Sequence, residues 1–552
     1  MTTSSAAANP ARSALAARTT GSLYLIAVFA LLLAEVLLLQ WLGGAYASGF
    51  GGHPDEAAHY VSSLMVRDFL PQAASGHPMQ FAQSYYLHYP KVAIGNWPPL
   101  MYGVAGVWFL LFGASRMSAL ALVAACTATT ALAIFAVGRK LLSWPAGLFA
   151  AVMFVACPLV QESSAMMMSE AMVTMLIFLA TLQFARFADS RKTLDALLFG
   201  ALATAAILTR GSAWALIFVP LFTIPLLRAW RMLLDWRLWL GALPVALFCI
   251  PWYLYAKGMS NGAMVGIDPN APLSFFFQAI RTFPLFVWRA AGPLLCAMFV
   301  LGCVFLALRK GRFPAWWAAL VSILAGIVLL QSIVPASIEQ RFMVQVLPAF
   351  LLVAAAGVQW LLQKAPQAAW AGAGALVLLT MFSIPAHIRN SGYGDVSAAL
   401  VQGVQGKKDG AILLSSDPIG EGSVIAEVAA MRAAENPVCL RASKVLVSED
   451  WLGRNSRPRF ANVEQLRAML AQVPVRAVMI DEAIDRHWQR GYHQQLAELM
   501  RSDSATWRHA GTFPVVRYGV QAPGRISVYV RQDDGARGAT DMDMIARLMR
   551  NE

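Results

Sequence analysis

The sequence predicts a polytopic α-helical membrane protein with about eleven transmembrane helices and a C-terminal α/β domain on the outer side. Three observations predict this. First, 58% of the 552 residues are apolar, only 13% are charged, and the mean hydropathy is +0.56. A soluble chain of this length cannot solvate so many apolar side chains. Second, apolar runs alternate with short polar breaks from Gly21 to His387, after which charges become frequent. Third, the basic residues distribute as they do around membrane spans. Up to Arg389 there are 23 Lys and Arg, and in one topology 14 lie inside and 9 outside.

Residues 1–20 are polar, carry Arg12 and Arg18, and read as a cytoplasmic tail. Leu23–Leu42 is long for a signal segment and lacks a convincing cleavage site, so it reads as an uncleaved first helix. A large first outer loop, 44–115, follows. Its apolar stretch 98–113 starts with two prolines and is short for a span. If that stretch crossed, the charge count would invert to 9 inside and 14 outside, so it reads as re-entrant or interfacial. The remaining spans fall at 117–138, 145–160, 169–185, 195–210, 212–227, 238–255, 290–308, 314–334, 342–362 and 368–386. The membrane domain is therefore 21–389, with the N-terminus inside.

Residues 390–552 form the soluble domain. "GAILLSSD" and "VRAVMIDE" look like buried strands. Strands at 411–416, 437–440, 475–480 and 525–531 alternate with helices at 421–432, 462–472 and 491–502, which is an α/β pattern. "DPIGEG" hints at a phosphate-binding turn, although a single GxG before a helix is usually only a turn. Five of the six cysteines lie in apolar runs and Cys439 stands alone in the soluble domain, so no internal disulfide or zinc pattern is visible. The net charge of +13 is largely topology charge on loops, and no nucleic-acid-binding motif accompanies it.

The outer side collects the chemistry. "GGHPDEAAHYVSSLMVRDFL" (51–70) reads as an amphipathic helix with Asp55 and Glu56 in its first turn and His59 and Tyr60 one turn on. Helix capping by Asp55 and a dipole contact for Glu56 are the plain alternative to a catalytic role. "YYLHYPKVAIGNWPPL" (85–100) sets His88, Lys91 and Trp97 among aromatics and prolines. That suits either an interfacial aromatic belt or a pocket with aromatic faces for a sugar and cations for an anion. Glu162 and Glu170 lie between two spans, Arg210 ends another in "LTRG", and Glu339 and Arg341 open a later one. Each alone suits an anchor at the interface, but their gathering on one side points to a site.

In order and placement, "PDEAAHY", "WPPLMYG", "SEAMVTMLIFLA", "LTRG" and "EQRFMVQVLPAFLLVAAAG" resemble the GT-C superfamily of membrane glycosyltransferases. The branch is that of dolichyl-phosphate-mannose protein mannosyltransferases and lipid A aminoarabinose transferases, and the likeness covers most of residues 20–360. It implies a polyprenyl-phosphate sugar donor, a lipid, glycan or protein acceptor, and hexosyl or pentosyl transfer on the periplasmic face of a bacterial inner membrane. By that resemblance Asp55 would take the acceptor's proton and Glu56 would orient the acceptor or Asp55. Glu170 would bind substrate or a divalent cation. Arg341 and Arg210, with Lys91 or His88, would bind the donor phosphate. His59, Tyr60, Trp97 and Glu339 are candidate sugar or acceptor contacts. The chain departs from the family in two ways: Lys91 lies seven residues before Pro98, and there is no DxD pair to mark a metal site. The rival class is a transporter or flippase of lipid-linked sugar. Two features weigh against it: no inverted repeat with paired broken helices is visible, and the acids gather at one surface.

Overall fold

The computed structural model describes residues 10–550 except 94, 258–271, 309–312, 336, 364–365, 382, 384–387, 409, 435, 449–455, 474, 483, 485–487, 518–522 and 533–541. Helices α1 (Pro10–Leu42), α2 (Pro54–Phe69), α3 (Pro78–His88) and α4 (Leu100–Phe112) come first. Then come α5 (Arg116–Leu141), α6 (Trp144–Ala156), α7 (Pro158–Ser164), α8 (Glu170–Ser190) and α9 (Thr193–Ile207). The helical part continues through α10 (Phe218–Leu226), α11 (Trp236–Pro244), α12 (Ile250–Lys257), α13 (Pro272–Ala307), α14 (Ala315–Ile333), α15 (Leu347–Leu362) and α16 (Pro366–Met381).

Seven of these segments are long and apolar enough to cross a membrane, or eight when α6 and α7, bent by 57°, count as one span. The segments at Thr193–Ile207, Gly211–Leu226 and Ala371–Met381 are apolar but shorter. The eleven-span reading requires all three to cross as well. α4 has 13 residues, so at 1.5 Å per residue it falls well short of a hydrocarbon core roughly 30 Å thick. It packs against α2 instead. A Cβ on Gly106 would come within 2.8 Å of Val66, so only glycine allows that approach. Trp108 of α4 donates its indole N–H to Ser118 at the head of α5.

α13 breaks at Gly292 (φ 77°, ψ 167°), directly before Pro293, and its second half begins where the sequence places a span. That half crosses α15 at two glycines. A Cβ on Gly302 would lie 1.9 Å from Val353 O, and one on Gly357 would lie 2.1 Å from Met298 O. The charge count predicts that the 113–116 turn and the region after Ser391 are extracytoplasmic. On that reading, Ser115→Cys and Asp395→Cys, in a background without the native cysteines, should react with an impermeant thiol reagent on intact cells. Lys192→Cys should not. Labelling at 192 without labelling at 395 overturns that topology.

The C-terminal part begins with α17 (Tyr393–Gly403), β1 (Ala411–Ser415), α18 (Pro418–Met431), β2 (Val438–Arg441), the short α19 (Ala442–Val445), β3 (Val447–Ser448) and β4 (Arg457–Pro458). It ends with α20 (Val463–Gln472), β5 (Val475–Asp481), α21 (Gly491–Ser502), β6 (Trp507–Val515), β7 (Gly524–Arg531) and α22 (Met542–Arg550). Five strands form one mixed sheet in the order β2-β1-β5-β7-β6. β1 runs parallel to β2 and β5, while β7 is antiparallel to β5 and β6. β1 and β5 are buried along their whole length, which explains why β1 reads as an apolar run and β5 as apolar apart from Arg476 and Asp481.

The sequence expectations place four of these strands and three of the helices to within a few residues. β6 and α17 escape them. β6 is an edge strand whose interior residues are mostly exposed; it carries Gly511, Pro514 and a register shift between His509 and Gly511, so it shows no alternation.

Candidate active site

Helix ends position the site. α2 starts at Pro54, which suits a first helical position. The side chain of His53, not of Asp55, caps the helix, with Nδ1 accepting from the Asp55 N–H at 3.1 Å. Capping therefore does not account for the Asp55 carboxylate. Glu170 is the first residue of α8, where the helix dipole favours an anion. Arg210 follows the C-terminus of α9, where the dipole favours a cation. Arg341 lies in the 3-10 turn Gln340–Val346 that leads into α15.

Arg341 is the hub. Its Nη2 donates to Asp55 Oδ2 at 3.0 Å and its Nε to Glu339 Oε2 at 2.5 Å. Its Nη1 lies 3.4 Å from Glu170 Oε1, an ion-pair distance without a hydrogen bond. Arg210 Nη1 donates to the same Glu170 oxygen at 2.5 Å and to Ser169 Oγ at 3.0 Å. Both guanidiniums lie over the Phe342 ring, at 4.9 Å for Arg210 and 5.3 Å for Arg341. Two polar atoms are left over. Glu170 Oε2 and Arg341 Nη1 are buried with no hydrogen-bond partner among the described residues. They give the cluster one acceptor and one donor for a ligand.

Burial raises the Asp55 carboxyl, but the charges of His53 and Arg341 outweigh it and leave its pKa below the ordinary value. Glu339 is likewise lowered: burial opposes the shift, while His53, Arg341 and Ser337 drive it. Burial pulls His59 down to about 4 against the opposing charges of Asp55 and Glu170, so it is neutral at pH 7. Its Nδ1 is 2.9 Å from Tyr102 Oη and its ring is 4.7 Å from that of Trp97.

The other candidates make their described contacts elsewhere. Glu56 is fully buried. Its Oε2 accepts from the N–H groups of Gly51 (3.0 Å) and Gly52 (2.8 Å), and its Oε1 from Arg116 Nη1 (2.7 Å) and Met167 N–H (3.1 Å). Burial raises its carboxyl, yet Arg116 and these backbone donors hold it below the ordinary value. Tyr60 is buried, bonds to Ala114 O and stacks on Phe50 at 3.9 Å between centroids. His88 ends α3 with Nδ1 2.9 Å from Ser84 O and its ring beside Tyr89.

Lys91 is half-buried against α18, where a Cβ on Gly422 would meet its Cε at 2.8 Å. Burial, then Arg441, lowers its amine to about 7, against Glu421, Asp55 and Asp417. A phosphate arriving beside this amine would raise its pKa, so binding takes up a proton. The bound state then holds more protons than the free state, and affinity falls as pH rises through 7. If the polyprenyl-phosphate donor that the sequence resemblance implies binds here, its binding should weaken by up to about tenfold per pH unit above 7. The check is calorimetry in buffers of different ionisation enthalpy. Binding that is independent of pH and of buffer removes Lys91 from the phosphate site.

Three contributors were not singled out in the sequence. His53 bridges the cluster, with Nδ1 3.5 Å from Asp55 Oδ2 and Nε2 3.6 Å from Glu339 Oε2. Arg116 neutralises Glu56 and Tyr102 holds His59. A histidine directly before a Pro-Asp-Glu helix start was the one local signal available. No spacing links Arg116 to Glu56 sixty residues earlier. Among the described residues, no group of three or more His, Cys, Asp or Glu side chains is arranged to hold a metal ion.

Residues 96–255 match the family model of the dolichyl-phosphate-mannose-protein mannosyltransferases. The structure of ArnT from Cupriavidus metallidurans bound to undecaprenyl phosphate is similar over 92% of this chain and 98% of its own, with a TM-score of 0.54 and 14% identity. The fold is that of the GT-C membrane glycosyltransferases. The apo form of the same ArnT gives a TM-score of 0.54 at 12% identity, over 93% of this chain and 98% of that one. The oligosaccharyltransferase of Archaeoglobus fulgidus, in complex with Zn and sulfate, gives 0.52 at 13% identity, over 94% of this chain and 76% of that one. No curated protein matches the sequence. Within the GT-C fold, the matched segment 96–255 spans α4 to α12 and includes Glu170 and Arg210, while Asp55, Glu339 and Arg341 reach the cluster from outside it.

Proposed function

We propose that this chain transfers a hexose or pentose from a polyprenyl-phosphate donor to a lipid, glycan or protein acceptor. The reaction takes place on the periplasmic face of a bacterial inner membrane, with helices 21–389 in the bilayer and residues 390–552 outside it. The observation that carries the reading is the Arg341 hub. One guanidinium holds Asp55 at 3.0 Å and lies 3.4 Å from Glu170 while keeping a buried Nη1 unspent. The donor phosphate takes up that Nη1 and competes with Asp55 for the guanidinium. Asp55, released from the pair, regains basicity next to the acceptor. The acceptor oxygen attacks the anomeric carbon and its proton passes to Asp55. The bond from that carbon to the phosphate oxygen breaks, and its electron pair stays on the phosphate facing Arg341 and Arg210. Lys91 joins as a cation once protonated. Neutral His59, with the tilted Trp97 ring 4.7 Å away, offers a ring face to the sugar. Glu56 keeps the loop in shape.

The ArnT structure bound to undecaprenyl phosphate supports a donor of this chemistry, since its fold is the same. The transporter reading is weaker because the acids sit at helix ends rather than midway along spans. The deciding experiment is mass spectrometry of envelope glycans and lipid-linked sugars from cells lacking the protein. The expected result is loss of one sugar from an acceptor and accumulation of its polyprenyl-phosphate form. Loss of the sugar with its lipid-linked form confined to the inner leaflet would favour a flippase, and unchanged glycans would overturn both readings.

A further inference from the structure

The segment just before α2, Ser48–Gly52, is held by residues from beyond the last membrane helix. Phe50 C=O accepts from Ser423 Oγ at 2.6 Å and from Asn390 Nδ2 at 3.3 Å. Gly49 N–H donates to Asn390 O at 2.5 Å, and Arg389 N–H donates to Ser48 Oγ at 3.0 Å. Asn390 and Ser423 are both fully buried. Gly51 has φ +113°, and a Cβ there would lie 2.3 Å from Ser423 Oγ and 2.4 Å from Asn390 Nδ2. The backbone is therefore pressed onto those two side chains. Gly51 and Gly52 next give their N–H groups to Glu56, the neighbour of Asp55. One continuous path runs from Asn390 and Ser423 through Phe50 and Gly51 to Glu56 and Asp55.

Simple docking of the C-terminal domain does not require this arrangement. Phe50 and Ala57 already share an apolar core with Val424 and Ile425, and that contact alone could join the two parts. Buried polar groups cost stability unless satisfied, and two donors converging on one carbonyl fix a position as apolar contact does not. The same turn of α18 meets the other arm of the first loop, since Gly422 leaves room for Lys91. We propose that Asn390 and Ser423 are positioning residues, through which the C-terminal domain clamps the 48–52 segment and aligns Asp55 with Arg341. The clamp is independent of the transfer reading. Its consequence for catalysis rests on Asp55 being the base.

The test uses the full-length protein carrying Asn390→Ala with Ser423→Ala, and Ser423→Ala alone as the milder variant that keeps one donor on Phe50. Leu496→Val, in a separate core of the C-terminal domain, is the control for general destabilisation. Hydrogen exchange is followed in peptides covering 48–56 and β1. The clamp predicts that 48–56 exchanges at least about tenfold faster in the double variant while β1 is unchanged, with Ser423→Ala intermediate and Leu496→Val without effect on 48–56. Transfer turnover per folded molecule should fall by about a hundredfold, because misplacement of roughly 1 Å suffices. Affinity for undecaprenyl phosphate should stay within about threefold, since no phosphate contact is touched. Unchanged exchange at 48–56 in either clamp variant overturns the clamp. Faster exchange with full turnover overturns its role in aligning Asp55. A wild-type protein that neither binds undecaprenyl phosphate nor transfers sugar would sink the functional reading, while the exchange data still decide the clamp.

Discussion

Asp55→Asn should leave the protein folded and lower transfer by about two to four decades, the range expected for losing a general base. Folding survives for two reasons. His53 supplies the helix cap, so no cap is lost. Arg341 also keeps Glu339 at 2.5 Å and Glu170 at 3.4 Å, and an Asn carbonyl can still accept from its Nη2. Three carboxylates face two guanidiniums in the cluster, so removing one negative charge brings it closer to balance. Affinity for undecaprenyl phosphate should hold or rise, because the phosphate no longer competes with a carboxylate for Arg341. Sugar transfer and melting temperature, measured on the same preparation, check this. Full transfer by Asp55→Asn would remove the base from the scheme.

Glu56→Gln should behave in the opposite way, losing stability first. Four donors converge on this carboxylate: three backbone N–H groups and the Arg116 guanidinium. An amide presents only one acceptor oxygen, so its NH2 group would face donors, and Arg116, mostly buried, would lose its counter-charge. Breaking a buried ion pair on one side costs roughly 3–5 kcal/mol. Both variants change one carboxylate to its amide at neighbouring positions, which makes the contrast sharp. Denaturation of the two purified variants separates them. A Glu56→Gln protein as stable as the parent would show that the carboxylate does not hold the loop.

The fold was legible where burial imposes one pattern over many residues. Membrane helices are apolar all round, and β1 and β5 are covered on both faces, so composition alone marks them. β6 was not legible because an exposed edge strand interrupted by Gly511 and Pro514 leaves no periodic trace. In the site, Asp55, Glu170, Arg210, Glu339 and Arg341 stood out because charges at the ends of apolar runs are costly and hence conspicuous. What their neighbours do was not readable. Asp55 and Glu56 look alike in sequence, yet one meets Arg341 while the other is enclosed by Gly51, Gly52, Arg116 and Met167. That division depends on Arg341, Arg116 and Met167, which lie 286, 60 and 111 residues away in the chain, and no local pattern encodes them. The same holds for Asn390 and Ser423, two ordinary polar residues until the chain folds them onto Phe50.

The glycine crossing of α13 and α15 limits how the site can open. Backbones that touch at Gly302 and Gly357 leave no side-chain layer that could deform or slip between them. The two helices are therefore in direct backbone contact, and the turn carrying Arg341 leads straight into α15. If the proposed lipid-linked donor binds here, admission of its headgroup falls to the other wall, made of α2, α4 and the loop that carries Lys91. On that proposal Arg341 is the stationary jaw of the site, and variation in the size of what is gripped is absorbed by the jaw that carries Asp55.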